Sequence, residues 1–158
     1  MPGIVRISLL CLTIASPFLL SNSALAKKPE GPSAAPIPIQ ITTARKVFIS
    51  YREGDADPGA PNLTYNEFYA LLKAWGKFEL VRAPLDADLV FEIRYISGIT
   101  DAQLVVTIVD PKTHIVLWPF VQHVEHSSRE SAHRKKFDEA MEDLIGDIQK
   151  LTSQDPGQ

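Results

Sequence analysis

Near the carboxyl end of the chain, histidine and glutamate side chains have the types and spacing that bind zinc. They are His123, Glu125, His126, Glu130 and His133. On one helix, His126, Glu130 and His133 would share a face, and imidazole with carboxylate is a common zinc ligand set. This pattern allows, as an alternative function, a metal-dependent hydrolase built on the His123/His126/His133 cluster. The competing interpretation is surface histidines at a strand-to-helix junction, because Ser127 has the spacing of a helix cap and would leave His126 outside the helix.

A second group of candidate ligands lies in an acidic loop. Glu53, Asp55 and Asp57 place three carboxylates within five residues. Calcium prefers such oxygen ligands, but Pro58 interrupts the pattern of the twelve-residue calcium loop. We therefore interpret the segment as a solvated loop, and count these carboxylates with Arg52 as possible contacts for a binding partner.

Nucleophilic catalysis has little support in this sequence. Ser50, His114 and Asp110 are residue types that such chemistry uses, but no Gly-x-Ser-x-Gly turn presents a serine. The sequence also lacks a glycine-rich phosphate loop. We therefore predict a non-enzymatic protein with no catalytic residue and no cofactor.

The first half of the predicted domain supplies a strand, a helix and a short strand. Residues 46–51 are β-branched or aromatic, which is typical of a strand, and residues 52–61 read as a long loop. A helix is predicted from Thr64, which forms a capping-box pair with Glu67, to a terminating Gly76. Residues 78–81 read as the next, short strand.

In the second half, alternating patterns predict further strands and a last helix. Residues 89–96 and 103–108 alternate with a period of two, which predicts two strands of a hairpin. Asp110 opens a turn with proline in its second position, and a returning strand follows from His114. The stripe that defines the last helix consists of Phe137, Met141, Leu144, Ile148 and Leu151.

This order of elements predicts the fold class. The order strand-helix-strand-strand-strand-strand-helix favours an α+β two-layer sandwich with a mostly antiparallel sheet and two helices on one face. The strand-helix-strand unit at its start allows one parallel pair. The other face carries Glu92 and Arg94 and meets water or a partner.

The amino-terminal residues predict export. Residues 1–26 combine one charge, an apolar run and a small-x-small site at Ala24 and Ala26, which is typical of a cleaved signal peptide. An uncleaved membrane anchor is the alternative. Cys11 lies inside the apolar run, where a lipid-modified cysteine is not expected. We therefore predict a periplasmic or extracellular protein without a membrane span in its mature part.

By composition, the residues after the predicted signal peptide divide into three segments. Residues 27–43 are rich in proline and small residues and are predicted to be a disordered linker. Residues 44–153 are predicted to form one α+β domain, and residues 154–158 a disordered tail. Cleavage removes one arginine and no acid, so the net charge would move from −3 to −4. This mildly acidic charge argues against a nucleic-acid partner.

Residues 47–52, together with Asp55, resemble the opening strand of a Toll/interleukin-receptor domain. In enzymes of that family a glutamate attacks the nicotinamide ribose bond. This chain has no Trp-Cys-x-x-Glu segment onto which that role can be carried. The resemblance therefore implies a less favoured alternative function.

A second resemblance covers most of the predicted domain. It rests on residues 44–50, 65–69, 75–81, 87–93 and 110–113. These segments resemble an uncharacterised family of exported acidobacterial proteins. The Ala-Asp-Leu-Val strand, the Asp-Pro-Lys-Thr turn and the Leu-Trp strand are also similar to envelope domains of the curli-secretion lipoprotein and Tol-protein amino-terminal type. Both resemblances imply an envelope protein partner, and neither supplies a catalytic centre.

Overall fold

A computed structural model of the chain describes residues 35–52, 62–98, 101–125, 127 and 129–154. This part contains helices α1 to α3, strands β1 to β5 and one 3₁₀ helix. In chain order they are α1 (Ile39–Thr43), β1 (Lys46–Tyr51), α2 (Leu63–Trp75), β2 (Glu79–Leu80), the 3₁₀ helix (Pro84–Asp86), β3 (Leu89–Ile96), β4 (Asp101–Val109), β5 (Val116–Glu125) and α3 (Glu130–Thr152). The α+β class is confirmed.

The five strands form one mixed sheet in the order β2-β1-β3-β4-β5. The longest strands, β3, β4 and β5, pair antiparallel, which confirms the predicted hairpin. β1 pairs parallel with β2, as the strand-helix-strand pattern allows, and it is also parallel to β3. The position of β1 between β2 and β3 was not predicted, because sequence periodicity carries no information on strand order.

The hydrophobic core lies between the helices and one face of the sheet. In α2, Phe68 and Leu72 are fully buried, and Phe68 packs near Phe91 of β3. In α3, the whole predicted stripe is buried, together with Ala140 and Ile145, so the apolar face is wider than predicted. Each large side chain removed from water in this way contributes about 1.5–3 kcal/mol. The two long helices therefore cover one face of the sheet, as predicted.

Only the carboxyl end of α2 agrees with its predicted boundary. Gly76 adopts a left-handed conformation with φ of 72° and ends the helix as predicted. The predicted start at Thr64 is wrong, because the helix begins at Leu63 after a left-handed Asn62. Leu63 and Thr64 are both buried, so the first turn of α2 packs into the core. Thr64 lies inside the helix and is not the capping residue of a Thr64–Glu67 capping box.

The last helix and the last strand also begin later than predicted. α3 begins at Glu130 with Arg129 as its cap, so Ser127 is not the capping residue. β5 begins at Val116, because His114 has a left-handed φ of 58° that a strand cannot contain. β5 continues through Pro119. An outer strand tolerates a proline, because the missing N–H can lie on the side that faces no neighbouring strand.

The folded part begins earlier than the expected boundary at residue 44. Within the predicted linker at residues 27–43, Ile39–Thr43 forms a helical turn, and Ile41 is fully buried in the core. The predicted signal peptide at residues 1–26 lies outside the described residues. Among the helices that the structure describes, none is both long and apolar enough to cross a membrane.

Candidate functional site

The sheet face that points away from the α-helices is the first candidate surface, and we call it the open face. All three described α-helices contribute to the core on one side of the sheet, where alternate strand residues meet them. The remaining strand residues therefore point to the other side. On the open face these include Phe48, Ser50, Val90, Glu92, Arg94, Gln103, Val105, Thr107, Val109, Val116, Pro119, Val121 and His123.

An apolar row crosses the open face. Phe48, Val90, Val109 and Val116 stand in register on four neighbouring strands. Val90 and Val109 are each only 8% exposed, whereas Val116 at the outer strand is 55% exposed. Val121, also on the outer strand, is 49% exposed. The accessible apolar side chains of the open face thus include two valines of β5.

Charged residues lie beside this row. Glu92 and Arg94 are two residues apart on β3 and half-buried on the same face. The backbone N–H of Arg52 donates a hydrogen bond to the carbonyl of Ile93 at 3.0 Å, which keeps Arg52 beside β3 at the end of β1. Glu92 and Arg94 form no ion pair with any described residue. The backbone of Arg52 thus lies beside β3, near Glu92 and Arg94, and a role of these three residues in binding stays a prediction.

The other predicted binding residues cannot be placed. Glu53, Asp55 and Asp57 lie outside the described residues, so their contribution to this surface stays a prediction.

The predicted zinc ligands are only partly described. His123 is exposed on β5 opposite Gln103, while Glu130 and His133 belong to the first turn of α3. His126 lies outside the described residues. Within residues 35–52, 62–98, 101–125 and 129–154, no three histidine or acidic side chains are grouped to hold a metal. The alternative ligand set His126, Glu130 and His133 stays a prediction.

A cleft of about 260 Å³ next to His123 contains its own cation. It lies between β5 and α3 and is also lined by Glu125, Lys136, Glu139 and Asp143. The Lys136 Nζ lies 2.9 Å from Glu125 and 3.3 Å from Glu139. Hydrogen bonding to Lys136 lowers the pKa of Glu139. An ammonium group thus occupies the position among these carboxylates that a bound cation would need.

Ser50, His114 and Asp110 do not meet. Ser50 is opposite Glu92, which is opposite Thr107, so it lies two strands from β4 and at a different level from Asp110. Strand spacing and rise per residue place the backbones of Ser50 and Asp110 roughly 14 Å apart. The structure therefore gives no geometry for a serine nucleophile here.

A second cleft, at the end of the sheet, was missed by sequence reasoning, and we call it the end cleft. Its volume is about 400 Å³, and it is lined by Gln40, Thr43, Ala44, Arg45, Asp88, Asp110 and Lys112. These residues come from three distant parts of the chain, and only the Asp110 turn was recognisable beforehand. The cleft depends on α1, which composition placed in a disordered linker.

Both carboxylates of the end cleft bond to backbone amides. Asp88 Oδ2 accepts from the N–H groups of Arg45 and Lys46, at 2.9 Å each. Asp110 Oδ1 accepts from the N–H groups of Lys112 at 2.8 Å and Thr113 at 3.4 Å. These bonds hold the pKa of both carboxyl groups below the ordinary value, since backbone donors favour the charged form.

No family model matches the chain, and no curated protein matches it. Among solved structures, it is similar to the dodecamer of a PelC variant from Paraburkholderia phytofirmans, with 15% identity, a TM-score of 0.46, and coverage of 66% of this chain and 87% of that chain. A neuraminyllactose-binding hemagglutinin homolog from Helicobacter pylori shows 12% identity and a TM-score of 0.46, covering 79% and 92%. The LpoB C-terminal domain from Salmonella enterica shows 15% identity and a TM-score of 0.40, covering 52% and 83%. At these values the similarities assign no function, and the resemblance to an acidobacterial family stays a prediction.

Proposed function

We propose that this chain is an exported, non-enzymatic domain that binds another protein of the cell envelope through its open face. The observation that carries the proposal is the composition of that face. An apolar row with accessible valines on β5 adjoins Arg52, Glu92 and Arg94, whose charges we expect a partner to contact. Protein interfaces commonly combine an apolar centre with charged groups that select the partner.

Export is supported by the amino-terminal sequence. Residues 1–26 have the charge, apolar run and cleavage pattern of a signal peptide. The proposal therefore places the open face in the periplasm or outside the cell.

The test reverses one charge on the open face. In a pull-down from a solubilised envelope fraction, we expect Arg94→Glu to lower recovery of the partner about tenfold or more, because like charges at an interface cost several kcal/mol. Recovered proteins are identified by mass spectrometry, and each is retested as a purified protein against the wild type and the variant.

Lys73→Glu is the matched control. Lys73 is exposed on α2, on the helical side of the sheet, so the same change of charge should leave partner recovery unaltered. Equal losses for Arg94→Glu and Lys73→Glu would contradict an interface at the open face. Recovery of the protein in the cytoplasm alone, or enrichment of no protein that binds in purified form, would contradict the proposed function.

A further inference from the structure

β5 is an outer strand with an unpaired edge. Among the described strands it pairs only with β4. Outer strands are commonly protected by lysine, proline or a bulge, because an unpaired edge can add a further strand. Residues 113–125 contain no lysine and no arginine, and the register irregularity and Pro119 both lie in the first half of β5. The second half of β5, after Pro119, has none of these protections.

The register of the sheet shows which backbone groups of β5 point outward. The N–H and C=O of one strand residue point to the same neighbouring strand, and successive residues alternate between the two sides. The Ile93 carbonyl accepts from the N–H of Arg52, on the β1 side, so the backbone groups of Glu92 point to β4. Glu92 is opposite Thr107, and Thr107 is opposite Pro119. Thr107 therefore uses its groups toward β3, and those of Pro119 point away from β4.

By the same alternation, the backbone groups of Val121 and His123 point outward. Each of the two residues offers one N–H and one carbonyl at the unpaired edge, whereas Pro119 offers a carbonyl alone. The side chain of Val121 is exposed on the open face. This part of β5 thus presents backbone donors and acceptors with the spacing that an added strand can use.

A cleft lies along this unpaired edge. It is the cleft of about 260 Å³ that His123 and Glu125 line together with Lys136, Glu139 and Asp143 of α3. The two β5 side chains leave the strand on the open face, whereas α3 covers the opposite face. Because β4 occupies the inner side of β5, side chains from both faces can line one cleft only around the outer edge.

The ion pairs of this cleft leave room for a strand. Lys136 pairs with Glu125 at 2.9 Å and with Glu139 at 3.3 Å, and Lys135 also pairs with Glu139. The Lys136–Glu125 pair joins α3 to β5 across the edge, so an added strand that reached residue 125 would separate it. Both side chains are at least 40% exposed, and exposed ion pairs contribute little to stability. Their separation is therefore a small obstacle.

Asp143 is the carboxylate of the cleft that forms no ion pair with a described residue. The nearby Lys150 bonds to Asp147 at 2.8 Å, and this bond, more than the charge of Asp143, raises the pKa of Lys150. Asp143 is exposed on α3 and lines the cleft toward β5. An arginine or lysine on the helix side of an added strand would therefore meet an unpaired carboxylate.

We propose that the outer edge of β5, at residues 119–123, binds an extended segment of another protein as a sixth strand of the sheet. The backbone of the segment pairs with Val121 and His123. On one face its apolar side chains pack beside Val121, and on the other face a basic side chain binds Asp143. The inference goes beyond the proposed function and does not depend on it, because it requires none of the open-face charges.

A second copy of this chain is the less suitable occupant. Its own β5 carries no lysine or arginine, so it would bring no cation to Asp143. Pairing of two β5 edges would also place the α3 carboxylates of both copies near one another. A segment of alternating apolar and basic residues satisfies the unpaired backbone groups and Asp143 together.

The probe is a short labelled peptide that alternates valine with arginine, and fluorescence anisotropy measures its affinity for the purified protein. Two derivatives carry N-methyl groups, one on every valine and the other on every arginine, so each has lost the N–H donors of one edge. We expect the peptide whose blocked edge faces β5 to bind at least about tenfold more weakly, and its counterpart to bind like the parent. A peptide with glutamate in place of arginine should also bind about tenfold more weakly.

Val121→Pro removes an outward N–H from the protein itself. We expect this variant to fold, because Pro119 already occupies an outward position of the same strand, and to bind the peptide about tenfold more weakly. Val121→Thr is the matched control, since it keeps the N–H and a branched side chain, and it should retain most of the affinity. Circular dichroism and urea unfolding establish whether both variants are folded, and the N-methylated peptides test the same backbone pairing on the unchanged protein.

Asp143→Asn tests the charge of the cleft and should weaken binding of the arginine peptide about tenfold. Glu142→Gln is its matched control, because Glu142 is the neighbouring residue of α3 and lines a different cleft, toward α2. This control should leave the affinity unchanged. Arg94→Glu should not weaken binding, which separates the edge of β5 from the open face.

Equal affinities of the two N-methylated peptides, or equal losses for Asp143→Asn and Glu142→Gln, would overturn the proposal. An absence of binding by the wild type would overturn it as well, as would a loss of binding in Arg94→Glu, which would place the peptide on the open face. A wild-type dimer in analytical ultracentrifugation that Val121→Pro converts to monomers would assign the edge to a second copy and overturn the choice of partner.

Discussion

At the level of single residues, Asp88 joins the start of β1 to the start of β3. Its carboxylate accepts from the backbone amides of Arg45 and Lys46, and its own N–H donates to the Lys46 carbonyl at 2.9 Å. This local arrangement aligns the parallel pair β1–β3 at the position where the chain enters the sheet. One short side chain thereby satisfies two donors that have no strand partner at that point.

We expect Asp88→Ala to lower the free energy of unfolding by about 1 kcal/mol at pH 7, because two amides lose their acceptor in an exposed setting. Asp88→Asn should cost less at pH 7, because its amide oxygen can still accept. Urea unfolding of the wild type and both variants provides the measurement.

The same residue predicts a pH dependence. The pKa of Asp88 is lowered in the folded state, mainly by the Arg45 amide and then by the Lys46 amide. The stabilisation is therefore complete above the unfolded-state value, near about pH 4, and disappears as pH falls through the folded-state pKa. The stability difference between wild type and Asp88→Asn should shrink over that acidic range, and a difference that grows there would contradict this account.

At the level of elements, the change from glycine to alanine can be tested at a left-handed helix end and inside a helix. Gly76 ends α2 with φ of 72°, whereas Gly146 lies inside α3, and an added Cβ would meet no atom within 4 Å at either position. Only backbone conformation thus distinguishes them. Gly76→Ala should destabilise the protein by about 1 kcal/mol, because a left-handed alanine is strained. Gly146→Ala should stabilise it by about 0.5–1 kcal/mol, because alanine favours a helix.

Thermal and urea unfolding of both glycine variants measure these effects. A gain in stability at position 76, or a loss at position 146, would contradict the described backbone at that element.

The short helix α1 provides a second test at this scale. Ile41 is fully buried, so Ile41→Ala should lower the free energy of unfolding by about 2–5 kcal/mol through lost packing. Ile39 on the same turn is 60% exposed, and Ile39→Ala should change stability by less than about 0.5 kcal/mol. Similar small effects for both variants, measured by urea unfolding, would show that residues 39–43 are not part of the folded core.

At the level of the whole molecule, the sequence predicted what periodicity and local chemistry control. The apolar stripe of α3, the β3–β4 hairpin and the left-handed Gly76 all follow from patterns within a few residues, and all are confirmed. The insertion of β1 between β2 and β3 depends on contacts between distant segments. Such contacts leave no periodic signal in a single sequence.

The two candidate surfaces also differ in how far the sequence predicts them. Glu92 and Arg94 were identifiable because strict alternation on β3 shows which residues leave the core. The end cleft was not identifiable, because it requires Gln40, Asp88 and Lys112 to meet from distant positions. The small residues and prolines around α1 suggest disorder, although Ile41 in that segment is fully buried and Ile37 packs against the core.

The position of β1 between β2 and β3 has a consequence for the order of folding. Val47 pairs with both Leu80 and Leu89, whereas β3, β4 and β5 are successive strands joined by short turns. Contacts between distant residues form slowly, because a long loop must close first. A ribosome delivers β1 before either of its neighbours, so this strand has no partner until β2 has been synthesised and lacks its longer partner until β3 has been synthesised. During that time the apolar residues of β1 are exposed, and a chaperone would have to shield this segment of the nascent polypeptide.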